Sequence, residues 1–344
     1  MAQRRLSTQG ITEGAVQAAL VAIFALATRY IPVLGLATAF VVPLPLAVLV
    51  LRRGLLPALL AAGVAGVIAG LLAGPLAGAG LLLTFAPIGL ALGWGARSGW
   101  KAATILLLTS VVVIASLAVN LALTLALSNV NPYTIMIESM QQGQDAAMAF
   151  YQRLGINTEA LQQTNQQMAQ VLALLPKLLP VLMIQAGVVI AWLNFQVART
   201  ILRRLGFALP ALPPASTWRL PSFMVWLLPL ALLLFMLGGS LPQSSPGPDT
   251  APPPGPAGRP IVPPEIGLNL LYLLQTLFAV QGVIVAWVLL GRYTSVAALR
   301  IFVLLFVLVN PLLSRLLFLL GLADSIFPLR EWFGPRPAAS EDPA

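Results

Sequence analysis

The sequence predicts an all-α protein, a polytopic bundle of about nine transmembrane helices, and three observations lead to that prediction. Of its 344 residues, 59% are hydrophobic and only 8% are charged, and the mean hydropathy is +0.92. A soluble domain carries about a quarter charged residues, so this chain has too few to cover a wetted globule. Its apolar residues also fall in runs of about 20, the length that crosses the hydrocarbon core of a bilayer.

The distribution of basic residues is the third observation. The chain has 19 Lys and Arg against 10 Asp and Glu, which gives a formal net charge of +9. These cations lie in short gaps between apolar runs rather than on one amphipathic face. The positive-inside rule therefore explains their excess, and nucleic-acid binding is not predicted.

Residues 1–127 contain five predicted spans. They run from Ile11 to Tyr30, Leu36 to Leu51, Leu55 to Ala73, Gly78 to Ala96 and Ala102 to Leu127. Each is read as a helix because lipid offers no partner to an unpaired backbone group. The second is the shortest and includes Pro43 and Pro45.

A polar segment, residues 128–170, interrupts the apolar pattern. It includes Glu138, Asp145 and Glu159 and a glutamine-rich stretch before residue 171. Apolar positions such as Met136 and Phe150 predict an amphipathic helix, or a pair of helices, near the extracytoplasmic surface of the membrane.

Four further spans are predicted after this segment. Residues 171–241 include two, Val171 to Phe195 and Phe223 to Leu241, which flank a basic cytoplasmic linker. Residues 242–265 form a loop rich in Pro and Gly, a composition that predicts disorder. The last two spans, Ile266 to Leu290 and Leu299 to Leu320, occupy residues 266–320, and residues 321–344 are an interfacial segment followed by a disordered tail.

The orientation follows from the positive-inside rule. A cytoplasmic N-terminus in the plasma membrane places most of the cations at inner ends. The inner set is Arg4, Arg5, Arg52, Arg53, Arg97, Lys101, Arg199, Arg203, Arg204, Arg219, Arg292 and Arg300. Nine spans then place the C-terminus outside, with Arg330 and Arg336.

Small residues recur at four-residue spacing in two predicted spans. The third span has the row Ala62, Gly66, Gly70 and Gly74, and the first has Ala15, Ala18, Ala19 and Ala22. Such faces let helix backbones approach closely in lipid, where no hydrophobic drive joins helices. The third span is predicted to pack internally. For the first span, docking on a partner protein is the alternative.

These residues also carry a resemblance to known membrane proteins. Residues 11–127 combine the Ala-rich first span with IPVLG (Ile31–Gly35) and VPLPLAVLVLRRG (Val42–Gly54). In this they resemble the membrane-embedded S components of energy-coupling factor transporters. The whole chain, with its ending NPLLSRLLFLLGLADSIFPLR (Asn310–Arg330), is similar to the YybS-like family of bacterial membrane proteins.

The resemblance to S components implies particular partners. In S components an A-x-x-x-A pattern in the first span docks on the energising membrane subunit, and the pairs Ala15–Ala19 and Ala18–Ala22 match that spacing. It therefore implies a coupling membrane subunit and an ATPase as partners, besides the lipid bilayer. It also implies a small-molecule substrate.

Polar side chains inside the predicted spans are the candidates for substrate contacts, because such groups are expensive in lipid. Four of them fall in outer halves of their spans: Arg29, Asn120, Asn269 and Arg315. If they converge, they form a mildly cationic pocket that suits a neutral or anionic small molecule. The alternatives are that the amides join helices and that the arginines reach the headgroups.

The residue inventory excludes most catalytic chemistry. The chain has no Cys and no His, which excludes thiol chemistry and His-ligated metals. It has no carboxylate pair deep in a predicted span and no G-x-x-x-x-G-K-[ST] loop, so neither an enzyme nor a cofactor is predicted. Two functions remain, a transport-related subunit that binds a small solute and a non-transporting scaffold that binds partner proteins.

Overall fold

Helices make up the fold, as the composition predicts, and no strand occurs among the residues that the structure describes. The structure is a computed structural model, and it describes residues 8–128, 132–153, 159–237, 263–327 and 329–330. In chain order the helices are α1 (Thr8–Tyr30), α2 (Pro32–Ala39), α3 (Leu44–Arg53), α4 (Leu55–Ala73), α5 (Pro75–Gly80), α6 (Ala86–Arg97), α7 (Ala102–Ser128), α8 (Pro132–Arg153), α9 (Glu159–Arg204), α10 (Phe223–Leu237), α11 (Pro264–Tyr293), α12 (Ala297–Val309) and α13 (Pro311–Ile326). A π-helical turn, Leu81–Phe85, joins α5 to α6, and a 3-10 turn, Ala215–Thr217, precedes α10.

Six helical stretches of the described chain are long and apolar enough to cross a membrane. They are Gln9–Tyr30, Leu55–Ala73, Pro75–Arg97, Ala102–Ala126, Leu174–Arg204 and Glu265–Tyr293. The bent pair formed by α12 and α13 would be a seventh, and α10 is a shorter apolar helix. The chain is therefore an integral membrane protein with several spanning helices, and the predicted count of nine is not confirmed.

The predicted second span, Leu36 to Leu51, is wrong as a single helix. The chain turns between α2 and α3 just before Pro43, and α3 has only 10 residues, about 15 Å of helix. Every residue of α3 from Leu44 to Val50 is buried. A helix that is apolar on all sides and this short is a core helix rather than a span.

The predicted ninth span, Leu299 to Leu320, is also not one helix. α12 and α13 meet at an angle of 107°. The break lies at Asn310, whose backbone is extended because the following Pro311 disfavours helical geometry in the residue before it. The side-chain oxygen of Asn310 accepts a hydrogen bond from the Leu313 N–H at 3.2 Å and so caps α13. α13 then continues past the predicted boundary at residue 320 as far as Ile326.

The polar segment and the predicted sixth span form two helices, α8 and α9, and the break between them lies before Glu159 instead of at the predicted boundary after residue 170. α8 lies within the polar segment, for which one amphipathic helix or a pair of helices is predicted. α9 has 46 residues and includes both the glutamine-rich stretch and the whole predicted span. It also includes Arg199, Arg203 and Arg204, so these cations lie on a helix rather than in a linker. The Pro-rich loop and the tail are predictions for residues 242–262 and 331–344, which lie outside the described residues.

The described helices belong to two units. Unit 1 consists of Met1–Pro176 with Leu182–Leu212, and unit 2 of Lys177–Val181 with Pro213–Ala344. In unit 1, α3 packs against α6 through Gly89 and Gly93. A Cβ atom on Gly93 would lie 2.7 Å from the Val50 Cβ, and one on Gly89 would meet the Pro43 carbonyl. These two glycines, four residues apart, let the core helix approach α6 closely.

One end of unit 1 collects charged groups. The Arg53 guanidinium donates two hydrogen bonds of 2.8 Å to the Glu13 carboxylate. Arg97 donates to the carbonyl oxygens of Val50 and Leu51, at 2.8 and 3.0 Å, and so caps the C-terminal end of α3. The start of α1 therefore lies at the same end as the ends of α3 and α6, as the predicted up-and-down arrangement of the first spans requires.

In unit 2, α10 runs antiparallel to the first half of α11. A Cβ atom on Gly267 would meet the backbone N of Phe235, while the Leu220 N–H donates to the side-chain oxygen of Gln281 at 2.7 Å. The linker before α10 thus lies beside Gln281. Phe278 packs edge-to-face on Phe318, with ring centroids 6.0 Å apart, and this contact joins α11 to α13.

The end of α13 lies beside the linker before α10, at the level of Gln281 on α11. The Arg330 guanidinium donates to the carbonyl oxygens of Ser216 and Trp218, at 2.8 and 2.7 Å. The predicted topology puts Arg219 inside and Arg330 outside, and these sides of the membrane stay a prediction.

Single cysteines test the predicted topology, since the wild-type chain has none. Thr217→Cys and Phe327→Cys should react with an impermeant maleimide from one and the same side of the membrane, whereas Pro263→Cys, at the far end of α11, should react from the other. Labelling of intact cells against inside-out vesicles measures this. Reaction of positions 217 and 327 from opposite sides would support the predicted topology.

Candidate functional site

Two of the predicted substrate-binding residues lie in unit 1. Arg29 is exposed in the last turn of α1. Asn120 is half-buried on α7, and its amide donates to the Thr84 hydroxyl at 3.0 Å and to the Ser116 carbonyl at 2.8 Å. Thr84 belongs to the π-helical turn, a distortion that occurs often at functional sites. Asn120 therefore joins α7 to the one irregular turn in the α5–α6 stretch.

The other two predicted residues lie in unit 2. Arg315 is exposed one turn into α13. Asn269 on α11 accepts a hydrogen bond from the Val181 N–H at 3.0 Å and donates to the Lys177 and Glu265 carbonyls, at 2.7 Å each. In a regular helix the Val181 N–H and the Lys177 carbonyl are the two partners of one bond, and Pro180 lies between them. The Asn269 amide thus bonds backbone groups of α9 beside a proline, and its hydrogen-bonding groups are occupied by backbone.

The four predicted residues divide between the two units. Arg29 and Asn120 belong to unit 1, and Asn269 and Arg315 to unit 2. Asn269 fits the helix-joining alternative, while exposed Arg29 and Arg315 fit the alternative of arginines that reach headgroups. Their convergence on a substrate stays a prediction.

The alanines of the first span divide into two faces. Ala18 and Ala22 are 1% and 2% exposed and pack in a cluster with Ala58, Ala61 and Ala65 of α4. Ala15 and Ala19 are exposed. Of the two A-x-x-x-A pairs, Ala18–Ala22 is therefore used inside unit 1, and Ala15–Ala19 faces outward.

An apolar groove lies beside Ala15, one member of the exposed pair. It has a volume of about 190 Å³ and is lined by Gly10, Ile11, Gly14, Ala15, Ala18, Pro57, Leu60, Ala61 and Val64. No charged side chain is among these residues. A Cβ atom on Gly14 would meet nothing within 4 Å, which shows that the groove is open at that point. We call it the α1–α4 groove.

The small-residue row of the third predicted span lies on α4 and packs against the turn that follows it. Ala62 and Gly66 are buried, and Gly70 and Gly74 are half-buried. A Cβ atom on Gly66 would lie 2.7 Å from the Leu82 Cγ, whereas one on Gly70 would lie 3.8 Å from the Gly78 Cα, an ordinary contact. The tightest position is Gly78 in α5, where a Cβ atom would meet the Gly66 carbonyl. The α4 row thus packs inside unit 1, and its partner Gly78 was not predicted.

A buried polar cluster in unit 2 was missed by the sequence reasoning. Arg330 forms an ion pair with Asp324, with Nη2 2.8 Å from Oδ2, and the two side chains are 5% and 1% exposed. The Gln281 amide donates to Asp324 Oδ2 at 2.9 Å and to the Ser325 hydroxyl at 3.1 Å. Gln281, Asp324 and Arg330 together form what we call the C-terminal clasp, because they bind the end of α13 to the linker before α10.

The sequence contained one signal for this cluster. Asp324 is the only acidic residue between Glu265 and Arg330. An acidic residue that stands alone in an apolar region requires a cationic partner. Asp324 was instead assigned to an interfacial segment, because the ninth span was ended at residue 320. No group of three or more Cys, His, Asp or Glu residues that could hold a metal ion occurs in the described ranges.

Comparison with known proteins confirms the predicted family. The family described as "Predicted membrane protein (DUF2232)" matches residues 19–245 of the chain. The chain is also similar to "Uncharacterized protein YybS" of Bacillus subtilis (strain 168), with 23% identity over 327 residues, which are 94% of this chain and 98% of that protein. No solved structure matches. The resemblance to S components is not among these findings and stays a hypothesis.

Proposed function

The chain belongs to the DUF2232 family of predicted membrane proteins, and we propose that it is a membrane-embedded binding subunit that receives a transmembrane helix of a partner protein in the α1–α4 groove. The observation that supports this proposal is the groove itself, with exposed Ala15 in its lining. The proposal contains no catalytic step.

The lining of the groove indicates the chemistry of its occupant. Small side chains along α1 leave the helix backbone open to close approach, and in lipid that approach is what joins helices. The lining has no charge to recognise a polar ligand. An apolar helix with its own small-residue face therefore fits better than a soluble peptide or a polar solute.

Two forms of this function are distinguished by the identity of the partner. In the transport form, the partner is the coupling membrane subunit of an ATPase-driven transporter, and this chain binds a small solute elsewhere. The hydrogen bond from Asn120 to Thr84 in the π-helical turn favours that region of unit 1 for the solute. In the scaffold form, the partner is another membrane protein of the cell envelope and no solute is bound.

Site-specific photo-crosslinking in intact cells tests the proposal. A photoreactive residue at Ala15 should form an adduct with one membrane protein, through a transmembrane segment of that protein. The same residue at Ala115, which is exposed on α7, should not form this adduct. A Cβ atom at residue 14 would meet nothing within 4 Å. Gly14→Leu should therefore place its side chain in the groove and abolish the Ala15 adduct, and Ala115→Leu should leave the adduct intact.

The adduct decides between the outcomes. A coupling membrane subunit that co-purifies with an ATPase supports the transport form, and another membrane protein supports the scaffold form. Adducts with lipid alone, with a second copy of this chain, or with a partner that Gly14→Leu does not displace would each refute the proposal.

A further inference from the structure

The C-terminal clasp lies within the uncharged length of a candidate spanning helix. α11 has no charged residue between Glu265 and Arg292. Gln281 is roughly 24 Å from the first and roughly 16 Å from the second along the helix axis. The clasp and Leu220 of the linker that it contacts (residues 213–222) are therefore beside an apolar part of α11 rather than beyond its end.

Irregular backbone at such a position needs hydrogen-bond partners from the protein. Residues 218–221 have no helical structure, and residues 215–217 form only one 3-10 turn. Non-helical backbone at membrane depth is tolerated only where protein or a water-filled cavity supplies its polar groups with partners. Arg330 supplies them for the Ser216 and Trp218 carbonyls, and Gln281 supplies one for the Leu220 N–H.

Some polar atoms of the closed clasp have no hydrogen-bond partner. Asp324 Oδ1 and Arg330 Nε are buried without a hydrogen-bond partner in the described structure. Arg330 Nη2 contacts Asp324 only as an ion pair, without the geometry of a hydrogen bond. The cost of burying charged groups without a full set of hydrogen bonds offsets much of the attraction between them, so the ion pair by itself contributes little net stability. The cluster is thus better suited to a contact that opens than to one that is permanent.

We propose that the C-terminal clasp is a releasable strap on residues 213–222. In the closed state Arg330 binds the Ser216 and Trp218 carbonyls, and Gln281 holds both Asp324 and Leu220. In the open state Arg330 and Asp324 leave these partners for water, and residues 213–222 separate from the end of α13. The strap is independent of the α1–α4 groove, which lies in unit 1.

Pulsed electron spin resonance on the full chain in lipid nanodiscs tests the strap. Spin labels on Thr217→Cys and Phe327→Cys should show a dominant short distance and a minor longer one in the otherwise wild-type chain. Asp324→Asn and Arg330→Gln should each shift the ratio of the two populations toward the longer distance by about tenfold or more, because each removes a charge-assisted contact. Glu265→Gln, a charge change on α11 outside the clasp, should leave the ratio unchanged.

A charge exchange separates the strap from a simple ion pair. Asp324→Arg with Arg330→Asp keeps two opposite charges but places a carboxylate against the Ser216 and Trp218 carbonyl oxygens, so the strap should stay open. Restoration of the short distance by this exchange would overturn the proposal. The proposal is also overturned if the wild-type chain shows no population at the longer distance. The same holds if Asp324→Asn and Arg330→Gln both show the wild-type ratio of the two populations. Gln281→Leu keeps both charged side chains but removes the Leu220 contact and the hydrogen bond to Asp324, and an unchanged ratio there would also contradict the strap.

Discussion

Gly282→Ala and Gly321→Ala should each destabilise unit 2 by about 3 kcal/mol, the upper end of the cost of overpacking. α11 and α13 cross at these two glycines. A Cβ atom on Gly282 would meet the Leu317 carbonyl, and one on Gly321 would meet the Phe278 carbonyl. Both obstacles are backbone atoms, so neither helix relieves the clash by a change of rotamer. The helices must separate, and the Phe278–Phe318 contact is lost with them.

Thermal exposure of a buried thiol measures this effect. Ala231→Cys places a reporter on α10 at a fully buried position of unit 2. In that background Gly282→Ala and Gly321→Ala should lower the temperature of thiol exposure by roughly 6–12 °C. Gly291→Ala is the matched control on α11, since its Cβ atom would approach only the flexible end of Arg300, at 3.3 Å. If Gly321→Ala and the Gly291→Ala control expose the thiol at the same temperature, the close crossing of α11 and α13 is refuted.

Loss of either member of the Asp324–Arg330 pair should cost about 2 kcal/mol, because the remaining charge loses its partner and reaches water only when the clasp opens. The two side chains are almost completely buried, so water does not reach the stranded group without opening the structure. Asp324→Leu and Arg330→Met are the substitutions that remove each charge and keep an apolar side chain. Arg315→Met, at an exposed position of α13, is the control and should cost much less.

The double variant separates the ion pair from the rest of the clasp. Asp324→Leu with Arg330→Met should cost clearly less than the sum of the two single changes, because no uncompensated charge remains. Some cost should persist, since the Ser216 and Trp218 carbonyls lose their donor. The same thiol-exposure assay measures all three proteins. If the stability loss of the double variant equals the sum of the losses in the two single variants, the two charges do not interact in unit 2.

The clasp was not predicted because the boundaries of the ninth span were misplaced. The predicted ninth span counted apolar residues through Asn310 and Pro311 and stopped before Asp324. The structure breaks the helix at Asn310 and continues it past residue 320, so that Asp324 lies on a helix and faces Gln281. A count of apolar residues does not detect such a break. Pro311 changes the direction of the chain, but the segment around it remains apolar.

The predicted binding residues show a second limit of sequence reasoning. A polar side chain in an apolar run is expensive wherever it lies, and the sequence does not say what it bonds. Asn269 bonds backbone groups of α9 beside Pro180, residues distant in sequence, and Asn120 bonds Thr84 in a π-helical turn. The spacing of the Ala15–Ala19 and Ala18–Ala22 pairs is identical, yet the structure exposes one and buries the other.

The sequence by itself determined the class of the protein, its family, and the lengths of most of its long apolar helices. These properties depend on composition and on local runs of apolar residues. A helix can cross a bilayer when about 20 consecutive residues are apolar, whichever residues they contact in the folded protein. Tertiary structure alone decided which apolar helix is a core element, as for α3, and that the C-terminal residues pack beside the linker before α10. It also decided that Gln281, Asp324 and Arg330 meet. Those outcomes depend on contacts between residues up to 114 positions apart, such as Arg330 and Ser216, and no local pattern encodes such a pairing.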